Sequence, residues 1–494
     1  MLRYKVYIVS FFNIYFVYRS ICFGQELFTM QETDHPDTKS VSKWGVLIAA
    51  LLGGFMVILN NSLMNVALPY FMELFQITAV EGQWIVTAFA LGMAIVMPLT
   101  SYLSKRFGPK KIFLIGTFIF FAGSLAGPFS WNFTSIIFFR LLQGFGGGLI
   151  MPLTMMLIFK HFPKNERGLA LGIWGVAAMV APTIGPTLGG ILLEFFSWEM
   201  LFYINVPTAF IAAGAAVYFL QKDSEPIMLR FDWLGFLFIS FGLVAAMVGI
   251  DFLQSYPGDL WVYGIIAAGV AGILLFIWQE LRSDEPLLNI RILKNAVFSG
   301  SLIVISFSVM AMFSVLLLVP ILIQDIYGYS PLYAGFALFP QAISMGIAMT
   351  IGGRVLDKKG PYIVIMFGVV TTTIATFAIG FSIGQVGIMV LIVCLIFQGI
   401  GNGLINTPAS TAGLNALKEE HVPAGSAFNN VSRQLIKVIC IVFLSIFFEY
   451  RRGAHLTAND WTVAGERAVQ DSYLLVASLL VASIILVFYL RKRW

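Results

Sequence analysis

Long apolar segments alternate with short polar loops along nearly the whole chain after residue 43. A helix needs about 20 predominantly apolar residues to cross the hydrocarbon core of a bilayer. Hydropathy and the loops between apolar segments predict fourteen such spans, numbered in chain order. The predicted spans cover residues 44–69, 81–103, 112–130, 134–160, 168–195, 199–220, 231–254, 259–280, 296–322, 331–353, 361–382, 385–412, 423–449 and 471–490.

The composition strengthens this prediction. Of the 494 residues, 59% are hydrophobic and 11% are charged, whereas a soluble protein carries about 25% charged residues. We therefore predict an all-α polytopic membrane protein whose surroundings are the lipid bilayer. The net charge of +5 does not indicate a nucleic-acid partner, because the basic residues fall in short loops between spans. Cys22, Cys394 and Cys440 lack the spacing of a disulfide framework or a metal site.

The basic residues are distributed unevenly between the two sides of the predicted membrane. With the N-terminus inside, the even-numbered loops face the cytoplasm and carry most of the Lys and Arg, as the positive-inside rule requires. The other side receives Arg451, Arg452 and Arg467, which fall in the loop before the last span. This asymmetry predicts an even number of spans and places both termini in the cytoplasm.

Residues 1–29 do not fit the pattern of the spans. A short apolar run follows Arg3 and Lys5 and resembles the core of a signal peptide, but no small-x-small cleavage site follows it. The alternative, which we favour, is that translation starts at Met30. The predicted N-terminal tail covers residues 1–43, and a start at Met30 would remove residues 1–29 from it.

The chain repeats itself at an offset of about 255 residues. Residues 143–152 (QGFGGGLIMP) resemble residues 398–408 (QGIGNGLINTP), and the loop 106–109 (RFGP) resembles 358–361 (KKGP). Both copies have the same orientation, which predicts two parallel six-helix bundles and alternating access to a path between them. The predicted domains are residues 44–221, an insertion of two helices at 222–294, and residues 295–494.

Four short motifs lie on the first, fourth and fifth predicted spans and in the loop between the second and third. They are residues 59–69 (LNNSLMNVALP), 101–111 (SYLSKRFGPKK), 140–144 (RLLQG) and 181–190 (APTIGPTLGG). Together they resemble the motifs of the major facilitator superfamily, in its fourteen-span drug:proton antiporter branch. The resemblance implies a major-facilitator fold in the plasma membrane. It also implies a monomeric secondary exporter of amphipathic drugs or toxic compounds, which exchanges them for protons without a cofactor and confers antibiotic resistance.

Predicted span five contains two prolines and three glycines within ten residues. In a bilayer such residues bend a helix and allow other helices to approach closely. The two interpretations are a close-packed, bent helix and a flexure point in a transporter. The residues concerned are Pro182, Gly185, Pro186, Gly189 and Gly190.

Charged side chains within spans are candidate functional residues. The resemblance implies that Arg140 senses or relays protons, and the alternative is a structural arginine that bonds carbonyls of a neighbouring helix. Arg433 and Lys437 are four residues apart on one helix face. They either face a water-filled path and bind an anionic group, or extend towards the inner surface. No predicted span carries an acid at its middle, and candidate proton carriers lie near span ends: Asp232, Asp251, Asp325 and Glu449.

The chain departs from the family at two acidic positions. The first-helix motif commonly carries an aspartate where this chain has Asn60, and the loop signature commonly carries an acid where Lys105 stands. The second copy of the loop keeps its acid, Asp357. We predict a cytoplasmic latch in which the turns at Gly108 and its repeat bring Asp357 and basic residues such as Arg106 against neighbouring helix ends.

Amide side chains within the spans are the predicted substrate-binding residues, since an amide in hydrocarbon needs a partner. Phenylalanine and methionine could line a permissive cavity. The chain contains no Walker loop, His-Glu-x-x-His motif or nucleophile triad, so we expect no enzyme. Two alternatives to drug export stay open: export of a specific metabolite, lipid or peptide antibiotic, and a non-transporting membrane sensor or partner subunit. The amides are Asn60, Asn61, Asn65, Gln143, Asn402, Asn406, Asn429 and Asn430.

Overall fold

The computed structural model of the protein describes residues 42–223, 230–256, 258–283, 286–329, 331–384, 387–456 and 461–493. All regular secondary structure in these ranges is helical. Residues 1–41, and with them the choice between Met1 and Met30 as the first residue, lie outside the described part of the chain.

Thirteen helices of the described residues are long and apolar enough to cross a membrane, and one bent pair supplies a fourteenth span. The prediction of an all-α polytopic membrane protein is thereby confirmed. The helices are α1 (Lys43–Phe75), α2a (Ala79–Val96), α2b (Leu99–Phe107), α3 (Pro109–Ala126), α4 (Phe133–His161), α5 (Arg167–Phe195), α6 (Met200–Phe219), α7 (Trp233–Ser255), α8 (Leu260–Arg282), α9 (Ala296–Pro320), α10 (Pro331–Lys359), α11 (Pro361–Ser382), α12 (Ile388–Asn415), α13 (Val422–His455) and α14 (Trp461–Leu490).

The helices form two groups of six with an inserted pair. In the first half, α1 packs against α4, α5 and α6, while α4 also packs against α2a and α3. In the second half, α12 packs against α9, α10 and α11, and α14 packs against α9, α11 and α13. The halves meet where α5 contacts α10 and where α4 contacts α13, and the inserted α7 packs on both α2a and α13.

A sharp bend interrupts the second span rather than the fifth. Helices α2a and α2b meet at an angle of 53°, with Pro98 at the junction. By contrast, α5 is helical without a break through residues 181–190 and both of their prolines. A proline removes one intrahelical hydrogen bond, and α5 accommodates that loss without leaving the helical conformation.

The last two helices are longer than the sequence predicts. Helix α14 begins at Trp461, ten residues before the predicted start, because its first turns are amphipathic rather than uniformly apolar and hydropathy does not detect them. Arg451 and Arg452 therefore lie on α13, and Arg467 lies on α14, rather than in a loop. The Arg451 guanidinium pairs with Asp471 at 2.6 Å and joins the two helices.

Two equivalent glycines make the turns that follow α2b and α10. Gly108 has a φ of 91° and Gly360 a φ of 80°, conformations that glycine adopts without steric cost. Pro109 and Pro361 then occupy the first turns of α3 and α11, where proline has no amide hydrogen to lose. Because each turn is this short, the basic residues before it are helical rather than in a loop.

Candidate transport cavity and latch

A cavity of about 500 Å³ lies between the two halves. The first half contributes residues of α1, α2a, α4 and α5, and the second half contributes residues of α9, α10, α12 and α13. Most of the predicted substrate-binding residues meet in its lining, although they are far apart in the sequence. They are Asn61, Asn65, Asn406, Asn430, Arg433 and Lys437, together with Pro182 of the cluster in α5.

The apolar part of the lining is dominated by methionine. A methionine side chain is flexible and polarisable, so it adapts to guests of different shapes. Trp174 and Phe313 add two aromatic rings. The sequence composition indicated that methionines could form such a surface but did not show which of the twenty do so. The methionines in the lining are Met93, Met97, Met151, Met155, Met179, Met312, Met345 and Met349.

Arg433 is held in the cavity wall by neutral side chains. Its Nη1 donates to Asn406 Oδ1 at 2.7 Å, its Nη2 donates to Ser410 Oγ at 2.8 Å, and its Nε donates to Asn429 Oδ1 at 3.2 Å. These bonds join α13 to α12 and fix the guanidinium beside the cavity. In this arrangement Arg433 faces the cavity and does not extend to the membrane surface.

Lys437 lies one helical turn beyond Arg433 and also lines the cavity. Its Nζ is 5.3 Å from the centre of the Phe313 ring, a cation–π distance. Among the residues that the structure describes, Lys437 forms no ion pair and donates no hydrogen bond. The described lining contains these two basic residues and neither aspartate nor glutamate.

Four of the predicted amide residues are buried in helix contacts outside the cavity lining. Asn60 Oδ1 accepts from Asn205 Nδ2 at 3.0 Å and joins α1 to α6. Asn402 Oδ1 accepts from Ser308 Oγ at 2.6 Å and joins α12 to α9. Contrary to the prediction, neither these two residues nor Gln143 and Asn429 line the pocket, because each amide bonds to a neighbouring helix. Gln143 donates to Ser124, and Asn429 donates to Ser410.

Arg140 is fully buried among α2a, α3 and α4. Its Nε donates to the carbonyl of Ile85 at 3.0 Å, and its Nη1 donates to Gln143 Oε1 at 2.8 Å. The guanidinium carbon lies 4.5 Å from the centre of the Phe89 ring. Within the described part of the chain, its Nη2 has no hydrogen-bond partner. Arg140 thus bonds one carbonyl, as the structural interpretation predicts, yet it keeps a buried donor unused.

The proline and glycine cluster of α5 packs closely against α1 at two positions. Ser62 Oγ donates to the Pro182 carbonyl at 3.2 Å. A Cβ atom on Gly185 would stand 2.3 Å from Ser62 Oγ, so glycine is required for this approach. Gly189 has ordinary contacts and Gly190 has no neighbouring atom within 4 Å of a Cβ position. The described contacts correspond to a close-packed helix.

Asp357 connects the two halves. Its two carboxylate oxygens accept from the backbone amides of Gly168 at 2.9 Å and Leu169 at 2.8 Å, at the N-terminus of α5. A helix N-terminus attracts negative charge through its unpaired amides and its dipole. The helices touch at this point, since a Cβ atom on Gly353 would lie 2.0 Å from the Gly168 carbonyl oxygen.

The first copy of this loop uses different partners. Lys105 interacts electrostatically with Glu420, in the turn that precedes α13. Arg106 donates to the Tyr102 hydroxyl on its own helix. Asp223 packs against Gly108 and accepts from the backbone amides at the start of α3. Asp223 and Glu420 were not predicted, because acids in loops give no sequence signal of their contacts.

Comparison with known proteins identifies the family. The sequence model of the Major Facilitator Superfamily matches residues 50–440. The chain belongs to this superfamily. It is therefore a membrane transporter and not an enzyme, and the predicted fourteen-span architecture with two parallel bundles and an inserted helix pair is that of a major facilitator.

Several curated facilitators are similar over most of their length. The chain is 32% identical to the uncharacterized MFS-type transporter YhcA of Bacillus subtilis over 414 residues, which are 83% of this chain and 77% of YhcA. It is 29% identical to the multidrug export protein EmrB of Escherichia coli over 425 residues, 84% of this chain and 79% of EmrB. It is 28% identical to the lincomycin resistance protein LmrB of Listeria monocytogenes over 397 residues, 79% of this chain and 83% of LmrB.

Solved facilitator structures have the same fold. The human organic anion transporter MFSD10 superimposes with a TM-score of 0.63, covering 90% of this chain and 99% of that chain at 14% identity. The proton:xylose symporter XylE superimposes with a TM-score of 0.60, covering 90% and 96% at 14% identity. At such low identity these matches establish the fold alone.

Proposed function

We propose that this facilitator is a secondary exporter of amphipathic drugs or toxic compounds in the plasma membrane, with both termini in the cytoplasm. The observation that carries the proposal is the cavity between the halves, which combines methionine-rich walls with a few amides and two cations. Such a surface binds guests of varied shape while retaining polar anchors. The similarity to the multidrug export protein EmrB and the lincomycin resistance protein LmrB supports the same class of substrate.

We infer that transport proceeds by alternating access, because the cavity is built from both halves. Asp357 supports this mechanism, since its bonds to the start of α5 hold the halves together at one end of the molecule. Opening at that end requires these two bonds to break. The predicted latch then regulates which side of the membrane the cavity faces.

We further infer that protons drive the export and that Arg140 takes part in coupling. Placing an arginine at the centre of a bilayer costs at least ~2.5 kcal/mol unless it is paired or hydrated, and Arg140 has an unpartnered buried donor. Such a group would change its contacts when a proton, water or a neighbouring helix arrives. Asn60 cannot supply this function, because an amide does not titrate.

Efflux of a fluorescent amphipathic dye from everted vesicles, with and without a proton gradient, tests the function. We expect gradient-dependent dye movement that Met312→Trp, which fills the cavity, abolishes. Ile303→Trp on an exposed face of the same helix is the control and should be active. Gradient-independent movement would refute proton coupling. No movement of any dye or metabolite tested would favour a non-transporting sensor, in agreement with Asn60 at the place of the family aspartate.

A further inference from the structure

The charges that face the cavity are all of one sign. Arg433 and Lys437 line it, and no carboxylate does so among the described residues. A charge in a low-dielectric site is costly unless a partner of opposite sign accompanies it. The protein supplies no such partner in the described lining, so the cavity retains an uncompensated positive potential.

The two cations are not equivalent. Arg433 makes hydrogen bonds to Asn406, Ser410 and Asn429, which hold its position but do not neutralise its charge. Lys437 has no hydrogen bond or ion pair within the described chain, and its ammonium lies beside Phe313. An ammonium can donate three hydrogen bonds. Lys437 is therefore the donor that a molecule in the cavity can use.

The rest of the lining determines the shape of that molecule. Trp174, Phe313 and the methionines provide an apolar surface on the walls around the charged pair. A small inorganic anion would leave this surface without contacts, and an apolar guest without charge would leave Lys437 unpaired. A guest with an apolar body and one anionic group satisfies both parts of the site.

We propose that the cavity selects amphipathic organic anions, such as carboxylates and sulfonates, with the anionic group bound by Lys437 beside Arg433 and the apolar body on the methionine-rich walls. The proposal rests on the proposed export function and specifies its substrate class. Quaternary ammonium and other cationic compounds are disfavoured, because like charges repel strongly in a site with little water.

Three dyes with the same aromatic body test the charge preference: a dimethylaminonaphthalene sulfonate, its uncharged sulfonamide, and a trimethylammonium derivative of that sulfonamide. Binding to the purified protein in a zwitterionic detergent is followed by fluorescence. We expect the sulfonate to bind most tightly and the trimethylammonium compound least tightly. A preference for the cation, or displacement of the sulfonate by an anionic lipid at low concentration, would overturn the proposal.

Substitution of Lys437 tests the contact at the level of one residue. Because its ammonium has no hydrogen-bond partner among the described residues, the substitution leaves no other group of the protein without a hydrogen bond. Lys437→Gln should weaken sulfonate binding by about tenfold or more, the loss expected of one charge-assisted contact, and leave the uncharged dye unaffected. Lys437→Glu should reverse the preference towards the cation. Lys160→Gln, at an exposed lysine of α4, is the matched control. Unchanged sulfonate affinity in Lys437→Gln would refute the proposed contact.

Transport of the same dyes separates this inference from the function on which it rests. Export of the cationic dye without export of the sulfonate would refute the anion site and leave the proposed exporter intact. Export of none of the three dyes, with sulfonate binding that still depends on Lys437, would refute the exporter and keep the anion site.

Discussion

In each half, a hydrogen-bonded junction around a glutamine of the fourth helix joins that helix to the second and third helices. This junction contains a buried charge in the first half and is neutral in the second half. In the second half, Gln398 of α12 donates to Thr376 of α11 at 3.2 Å and accepts from Gln341 of α10 at 2.8 Å. In the first half, Gln143 of α4 stands at the repeat position of Gln398 and accepts from Arg140. A neutral amide is therefore sufficient to close this junction.

The comparison indicates what the arginine adds. Gln143 also donates to Ser124 of α3 at 2.8 Å, so the hydrogen bonds from the two glutamines to the third helix are equivalent. The difference is the guanidinium of Arg140, which brings a buried charge and an unpartnered Nη2. Since packing in the second half is achieved without that cost, the charge of Arg140 is more readily explained by function than by folding.

The largest predicted effect comes from converting the charged junction into the neutral one. Arg140→Ala should abolish dye export, because it removes the cation and leaves the Gln143 carbonyl without its donor. The sharper variant is Arg140→Leu combined with Phe89→Gln, which places in the first half the residues found at equivalent positions of the second, Leu395 and Gln341.

The double variant should insert and unfold thermally close to the native protein while exporting no dye. Gln341→Leu in the second half is the reciprocal control. It should cost about 1 kcal/mol of stability through one lost hydrogen bond and leave export active. Export by the double variant at the native rate would show that Arg140 serves only to pack helices.

An intermediate effect is expected at the latch, where the copies also differ. Asp357→Asn keeps the shape of the side chain but removes the charge that faces the start of α5, a contribution of about 1 to 2 kcal/mol. We expect export to slow several-fold, because the halves no longer close fully at that end. The measurement is the initial rate of dye export from everted vesicles.

Lys105→Gln is the matched change in the first copy. Glu420 is exposed and attracts Lys105 without a salt bridge between them in the described residues, and exposed charge pairs contribute at most about 1 kcal/mol. The export rate should therefore change less than in Asp357→Asn. Equal effects of the two substitutions would mean that the latch works in the same way in both copies.

The smallest effects concern the two glycine turns and appear as stability rather than transport. Gly360→Ala adds the strain of a positive φ combined with an extended ψ of 170°, about 1 to 3 kcal/mol, with no atom within 4 Å of the new Cβ. Gly108→Ala adds the same strain and places its Cβ 2.1 Å from Asp223 Cγ. The thermal unfolding midpoint in detergent should therefore fall further for Gly108→Ala.

A double substitution separates the backbone strain at Gly108 from the steric clash with Asp223. In an Asp223→Gly background, the cost of Gly108→Ala should decrease to that of Gly360→Ala, because both the Asp223 Cβ, 2.2 Å from the new Cβ, and the carboxylate are absent. If the cost does not change, the difference between the two turns lies in the backbone and not in Asp223.

The sequence was sufficient for the spans and the repeat, since both depend on patterns that extend over many residues. It was not sufficient for the rotation of a helix about its axis. Asn60 and Asn61 are neighbours in one motif, yet Asn60 bonds Asn205 of α6 while Asn61 faces the cavity. In a membrane protein the residues on both sides of such an amide are apolar, so hydropathy does not reveal which face is buried.

Contacts made by loop residues, or between the two repeats, could not be predicted from the sequence either. Asp357 was predicted to form a latch, but its acceptance from the amides of Gly168 and Leu169 depends on where α5 begins relative to α10. Asp223 lies more than 100 residues along the chain from the amides that it binds, and nothing in the sequence around a single loop acid predicts that contact.

The inserted hairpin of α7 and α8 makes the gap between the halves unequal on its two sides. Helix α7 contacts α2a, where the Phe252 and Trp84 rings are 5.7 Å apart, and it also contacts α13. On the opposite side α5 meets α10 directly. In the proposed alternating access, the hairpin links the halves across one seam, so their relative movement should be smallest there. The wider aperture should form along the seam of α5 and α10, once the bonds of Asp357 to the start of α5 break.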